Sequence, residues 1–229
     1  GIGANSAIFS IVNAVVFKHL PFPEPERLMA VGVSHRGRDF IQYVSPMNFL
    51  DLQASSQTFQ AMSAFTTGDA TLTDQGSPMT LRWAGVGSSF FDVIGVRPSM
   101  GRAFLPEENE PAKNSVAVLG HELWKNRFGG DPAIIGKRIR IEGERYEVVG
   151  ITAPGRSFPE GTEVWTTLRH DERFLTKSRG AWYLTVIGRL KGGASEASAQ
   201  QEIRTIVARL VQEHGEVNEG LRGRVMPLH

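Results

Sequence analysis

From Gly1 to Phe17 the chain carries no charge, and this stretch constrains the fold more than any other. Its polar side chains are Asn5, Ser6, Ser10 and Asn13, and charge first appears at Lys18. Ile8, Phe9, Ile11, Val12, Val15, Val16 and Phe17 spread over an arc too wide for a surface helix with one wet face. About 17 residues is the short limit for crossing roughly 30 Å of hydrocarbon. No basic region leads the stretch and no small-residue cleavage site succeeds it, so it is not a signal peptide. An amphipathic soluble helix and the outer half of a membrane helix remain, and the wide apolar arc favours the second. Pro21-Phe22-Pro23-Glu24-Pro25 cannot continue a helix and reads as a stiff exit. The absence of an initiator Met leads us to expect a segment of a longer protein, with membrane helix over 1–20.

Beyond the prolines the chain reads as a soluble domain. The 229 residues suit one large or two small domains and need no disulfide or metal staple. The absence of Cys removes disulfides, zinc ribbons, iron–sulfur centres and thiol nucleophiles. With 25 basic against 24 acidic groups, a dedicated nucleic-acid binder is not expected.

The pattern predicts mixed strands and helices. Leu28 to Val33 is a strand, and Ser45-Pro46 opens a helix whose apolar stripe takes in Phe49, Leu50, Leu52, Phe59 and Met62. Ala70–Thr73 and Met79–Val86 read as strands. Ser88 or Ser89 caps a short helix ended by Gly95 and Pro98, and Glu107, Glu108 and Glu110 form a solvated acidic loop. Ser115–Leu119 is a strand and His121–Phe128 a helix stopped by Gly129-Gly130. Arg138, Arg140 and Glu142 alternate with Ile139 and Ile141, Gly143 turns the chain, and Tyr146, Val148 and Val149 return it. Trp182–Leu190 is an apolar strand. Ser195 caps a helix with Ile203, Ile206, Val207, Leu210 and Val211 on one face, Gly215 marks its stop, and Leu221–Met226 is a last strand. Without strict β-α-β-α alternation the class is α+β.

Catalytic motifs are not found. Gly130 to Gly136-Lys137 has five residues between its glycines and Arg138 after the Lys, so it is no phosphate loop. Gly85-Val86-Gly87-Ser88 lacks the flanking glycine of a nucleophile elbow. His121-Glu122 lacks the second His of a zinc-protease pair, and no two histidines share a helical turn. Glu142, Glu144 and Glu147 read as solvated salt-bridge partners, and they make Arg138, Arg140 and Arg145 a mixed surface. Trp83, Trp124, Trp165 and Trp182 are core or interface anchors.

Several blocks, read together, carry a resemblance. They are Gly1 to Val15 with Leu20-Pro21-Phe22-Pro23, Val44-Ser45-Pro46-Met47-Asn48-Phe49-Leu50-Asp51, and Phe90-Phe91-Asp92-Val93-Ile94-Gly95-Val96-Arg97-Pro98. Gly101-Arg102-Ala103-Phe104, Val118 to Trp124, Phe128 to Pro132, Ile135-Gly136 and Val148 to Ile151 continue it. The chain resembles the MacB/FtsX-like ABC transporter permeases, most of all the type abundant in acidobacteria. Leu52 stands where relatives often have Trp, and Lys18-His19 where Arg-Pro is common.

The resemblance implies an α+β, two-lobed periplasmic domain between transmembrane helices one and two. A porter-like α/β lobe would come from 21–93 and 181–229, with 95–179 an inserted mixed lobe. It implies no catalytic residue, cofactor or metal here, and ATP hydrolysis in a separate ATPase subunit or domain. The implied partners are that ATPase, the membrane, a second permease copy or half, and a periplasmic or outer-membrane protein, with no nucleic acid. The implied place is the inner membrane with this domain in the periplasm, and the implied role is coupling helix motion to export, release or a partner. A ligand-binding sensor domain and an anchored periplasmic hydrolase are the rival readings.

Overall fold

The computed structural model describes residues 22–35, 41–73, 76–110, 115–168 and 179–228. The apolar leader, with Ile8, Phe9, Ile11, Val12, Val15, Val16 and Phe17, lies outside them. No helix among the described residues is long and apolar enough to cross a membrane. In chain order the elements are β1 (Leu28–His35), α1 (Pro46–Ser55), β2 (Phe59–Leu72), β3 (Met79–Val86), α2 (Phe90–Ile94), β4 (Met100–Gly101), β5 (Val116–Leu119) and α3 (His121–Arg127). They continue with β6 (Arg138–Ile141), β7 (Glu144–Ile151), β8 (Val164–Thr167), β9 (Thr185–Leu190), α4 (Glu196–Glu213), α5 (Gly215–Asn218) and β10 (Leu221–Pro227).

The fold is α+β and two-lobed, as expected, and one mixed sheet runs through both lobes in the order β10-β1-β9-β2-β3-β8-β5-β7-β4. β3–β8 and β5–β7 are parallel, and the other pairings are antiparallel. In the first lobe, α1 and α4 cover a face built from β10, β1, β9 and the start of β2, around Val31, Phe49, Leu52, Leu184 and Ile203. In the second, the pairings β2–β3–β8–β5–β7–β6 return to β2 and close a ring. Its last seam is the single pair Leu72–Ile141, reinforced by Thr73 N–H to Arg140 O (3.0 Å) and Glu142 N–H to Thr71 O (2.9 Å). Leu72, Leu81, Leu119, Ile139, Ile141 and Ile151 belong to the core of this lobe.

β2 joins the lobes. Its 14 residues extend over roughly 43 Å at about 3.3 Å per residue. Phe59 to Phe65 pair with β9, and Phe65 to Leu72 pair with β3. This corrects the reading of Phe59 and Met62 as part of a helical stripe, and of a strand starting only at Ala70. A register shift between Phe59 and Ala61 places Phe59 and Met62 in the same core. A spacing of three on one face imitates a helix when a bulge produces it. Helix α1 itself begins as expected, with Ser45 accepting from Asn48 N–H (3.4 Å) and Pro46 in the first turn.

Between α1 and β2 the Glu202 carboxylate, reaching over from α4, accepts from Ser56 Oγ (2.8 Å), Gln57 N–H (2.6 Å), Thr58 N–H (3.1 Å) and Thr58 Oγ1. Burial pushes its pKa up, but the hydrogen bonds outweigh this and hold it below the ordinary carboxylate value. A depressed folded pKa contributes stability that is present above the unfolded value and lost as pH falls through the folded one. Glu202→Gln is therefore expected to cost about 1 kcal/mol at pH 7 in urea unfolding, with the difference shrinking as pH falls below about 4.

The other expectations meet mixed outcomes. Arg138, Ile139, Arg140 and Ile141 alternate out and in, and Glu142 (φ 49°) and Gly143 (φ 79°) make the tight turn into β7. Ser195 and Ser198 cap α4 reciprocally, and Ile203, Ile206, Val207 and Leu210 are buried along one face. The acidic loop needs correction. Glu107 and Glu110 are exposed, but Glu108 is 5% exposed, held by Arg102 (2.7 and 3.0 Å) and by Leu105 N–H (2.7 Å). Helix α4 ends at Glu213, before Gly215, which opens the one-turn α5. The apolar run from Trp182 becomes a continuous strand only at Thr185, Leu184 making an isolated bridge to Val44.

Candidate functional site

Both described ends of the chain meet at one edge of the fold. β1 starts where β10 finishes: Met29 is opposite Pro227, and Leu228 N–H donates to Leu28 O (2.9 Å). Leu28 and Leu228 are buried in one cluster with Phe22, the first described residue. The Phe22 ring meets Phe158 of the second lobe edge-on (5.5 Å). Phe158 touches Phe65 of β2 (5.9 Å) and stacks on Phe90 of α2 (6.0 Å). Phe90 leads to Phe91 (5.6 Å), which reaches Trp165 on β8 and Phe104. A continuous aromatic chain thus runs from the entry of the polypeptide into both lobes. Such rings contribute area burial plus pairwise contacts of about 0.5–1.5 kcal/mol each.

Charge clamps the same entry. Glu24 adopts a left-handed conformation (φ 47°) and its carboxylate receives Arg27 Nη1 (2.8 Å to each oxygen). Arg27 also donates to Leu190 O from Nε (3.0 Å) and Nη2 (2.7 Å). Arg189, 5% exposed on β9, donates from Nε to Val93 O at the end of α2 (2.8 Å), with Nη1 3.9 Å from the Glu24 carboxylate. The Arg27 hydrogen bond holds the Glu24 pKa below its ordinary value. Burial, then the neighbouring Arg27 charge, lowers that of Arg189. The Arg189 Nη2 has no hydrogen-bond partner among the described residues.

A second polar lock holds the helices of the first lobe. Asn48 and Asn218 exchange side-chain bonds (3.0 and 3.4 Å), and Arg179 donates to Asn48 (2.9 Å) and to Asp51 (2.6 Å). Asn48 and Asp51 thus have a physical task in the Ser45–Asp51 block. Among the tryptophans, Trp165 is fully in the core and donates to Phe158 O (2.8 Å). Trp83 donates to Thr166 (2.8 Å), Trp124 to Asp131 O (2.9 Å), and Trp182 packs on the first core. Among the described residues no group of three His, Asp or Glu could hold a metal. Buried rings, a covered arginine and the paired strand ends Leu28 and Leu228 thus form one packed junction.

The model of the MacB-like periplasmic core domain matches residues 1–206. The chain belongs to this family. Its fold is similar to the periplasmic region of MacB from Actinobacillus actinomycetemcomitans, with a TM-score of 0.65, 16% identity and 94% of each chain covered. A putative permease domain from Porphyromonas gingivalis gives a TM-score of 0.63 at 17% identity, covering 90% of this chain and 91% of that one. The extracellular domain of the noncanonic ABC-type transporter YknZ from Gram-positive bacteria gives 0.62 at 15%, covering 86% and 99%. In sequence it is 30% identical over 135 residues to a macrolide export ATP-binding/permease protein MacB from Burkholderia thailandensis, covering 58% of this chain and 20% of that protein. A MacB of Burkholderia pseudomallei is 26% identical over 208 residues, covering 83% of this chain and 31% of the relative. The chain thus spans less than a third of these relatives.

Sequence reasoning did not single out Arg189, Arg27 or Glu24. One signal was available, since Arg189 is a lone charge inside the Trp182–Leu190 apolar run. A charge in a buried strand needs a partner and marks a structural task.

Proposed function

We propose that this MacB-like domain is the extracytoplasmic part of an ABC transporter permease that passes transmembrane helix motion outward. The observation that carries the proposal is the pairing of Leu28 and Leu228 at one edge, with Phe22 anchored in an aromatic chain that reaches both lobes. Two membrane helices leaving that edge would hold the domain like two adjacent handles, and a shift of either would act on the Phe22–Phe158–Phe90 contacts. We take the lobes as 21–93 with 181–229 and as 95–179, the ring of the second being completed by the end of β2 and by β3, and the motif blocks support a position among the acidobacterial-type permeases. The domain resides in the periplasm on an inner-membrane permease containing the leader helix. Its partners are an ABC ATPase, a second permease copy or half, and a periplasmic or outer-membrane protein. The output is export, release or the operation of that partner, and the domain itself does no catalysis.

A topology measurement tests this. Lys125, exposed on α3, is changed to Cys in the full-length protein. A membrane-impermeant maleimide should label it in cells whose inner membrane is intact. Labelling only after the inner membrane is opened would contradict the proposal.

A further inference from the structure

The β6–β7 hairpin lies at the far end of β2 from the paired chain ends. Phe59 is level with Leu190, whose neighbour Arg189 is level with Leu28. Leu72, roughly 43 Å along the strand, is level with Ile141 beside the hairpin turn. On the outer face there, Arg140 stands directly opposite Arg145, and Arg138, two residues along, is opposite Glu147. All three arginines are exposed. Like charges facing each other across a ladder destabilise it.

The glutamates expected from sequence to mix this surface are present, and Glu147 stands opposite Arg138, but none stands opposite Arg140 or Arg145. Glu142 turns its carboxylate to Thr71 N–H. Glu144 is opposite Ile141 and shares the other face with Tyr146. Glu147 is half-buried beside Arg138, and its charge acts on Arg102. Among the described residues no carboxylate forms an ion pair with the side chain of Arg138, Arg140 or Arg145. β6 is paired along its length with β7 and at Ile141 with Leu72 of β2, which fixes how the hairpin presents these side chains. Guanidinium groups grip carboxylates through two parallel hydrogen bonds, which a lysine cannot do.

We propose that the Arg138–Arg140–Arg145 face docks a carboxylate-rich surface of a partner protein. The inference rests on the permease reading only for the position of that partner, outside the membrane and away from lipid phosphates. An accepted cost to the hairpin and a rigid presentation by the tight turn are what an electrostatic docking face requires.

The test titrates the full-length permease, held in zwitterionic lipid nanodiscs, with a peptide alternating Glu and Ala, at about 20 mM and about 300 mM salt. The unaltered chain should bind at low salt and lose affinity at high salt. Arg140→Gln with Arg145→Gln should bind about tenfold more weakly, while its Tm rises by about 1–2 °C as the repulsion is removed. Arg204→Gln with Arg222→Gln, on the first lobe, should bind as the unaltered chain does. Equal binding by the hairpin variant would overturn the inference, as would competition by phosphatidylglycerol vesicles at the same charge concentration. A lowered Tm in the hairpin variant would also overturn it, since the arginines would then be structural. This titration leaves the permease reading untouched whichever way it falls, and maleimide labelling at residue 125 decides that reading separately.

Discussion

Phe90→Ala is expected to lower the unfolding free energy by about 4 kcal/mol. Phe90 is fully buried and meets Phe65 (5.8 Å), Phe91 (5.6 Å) and Phe158 (6.0 Å), so its removal opens a hole between the lobes. The short helix that carries it has little other means of closing the gap, since Gly95 ends it in a left-handed turn. Tm should fall by about 10 °C. Urea unfolding checks this, and a loss below about 1 kcal/mol would show that the aromatic chain does not hold the lobes together. Leu50→Ala, at a half-buried position on α1, serves as the comparison and should cost markedly less.

Gly223→Val is expected to cost about 3 kcal/mol for the opposite reason, overpacking. A Cβ at residue 223 would lie 2.5 Å from Ile203 O and 2.7 Å from Ile203 C. Both atoms are helix backbone, so α4 must lift as a body. That lift would break the two bonds by which Gln200 covers the edge of β10, to Gly223 O (2.9 Å) and from Val225 N–H (2.9 Å). An uncovered edge strand pairs with other chains. The variant should therefore show a lower urea midpoint together with concentration-dependent association by light scattering. A monomeric variant of unchanged midpoint would contradict this packing.

The sequence is most legible where pattern and environment agree. The out-and-in alternation of β6, the cap at Ser195, the Met79–Val86 strand and the Pro46 helix start are local, and local rules predict them. Phe59 and Met62 imitate a helix because a bulge changes the parity of a strand, and bulges have no composition of their own. Glu108 reads as a surface charge because its partner, Arg102, becomes one only through the fold of the intervening turn. The junction is half legible. The proline-rich exit after the leader points to a stiff connection, but Phe158, Phe65 and Phe90 are far apart in sequence and meet only in the folded chain. Whole-block similarity to a known family carries what single motifs cannot.

The central claim, that motion at the paired chain ends is passed through the aromatic junction into both lobes, has a direct test. The 229 residues contain no Cys, so spin labels can be placed at Lys125→Cys on the second lobe and Glu216→Cys on the first. The full-length permease, with its ATPase and with any further Cys removed, is set in lipid nanodiscs, and pulsed electron–electron resonance reads the distance between the labels. Coupling requires two states that differ in this distance. Coupled lobes predict a distribution that shifts between the nucleotide-free and ATP-bound complexes. Superimposable distributions in samples with proven nucleotide occupancy would contradict the claim.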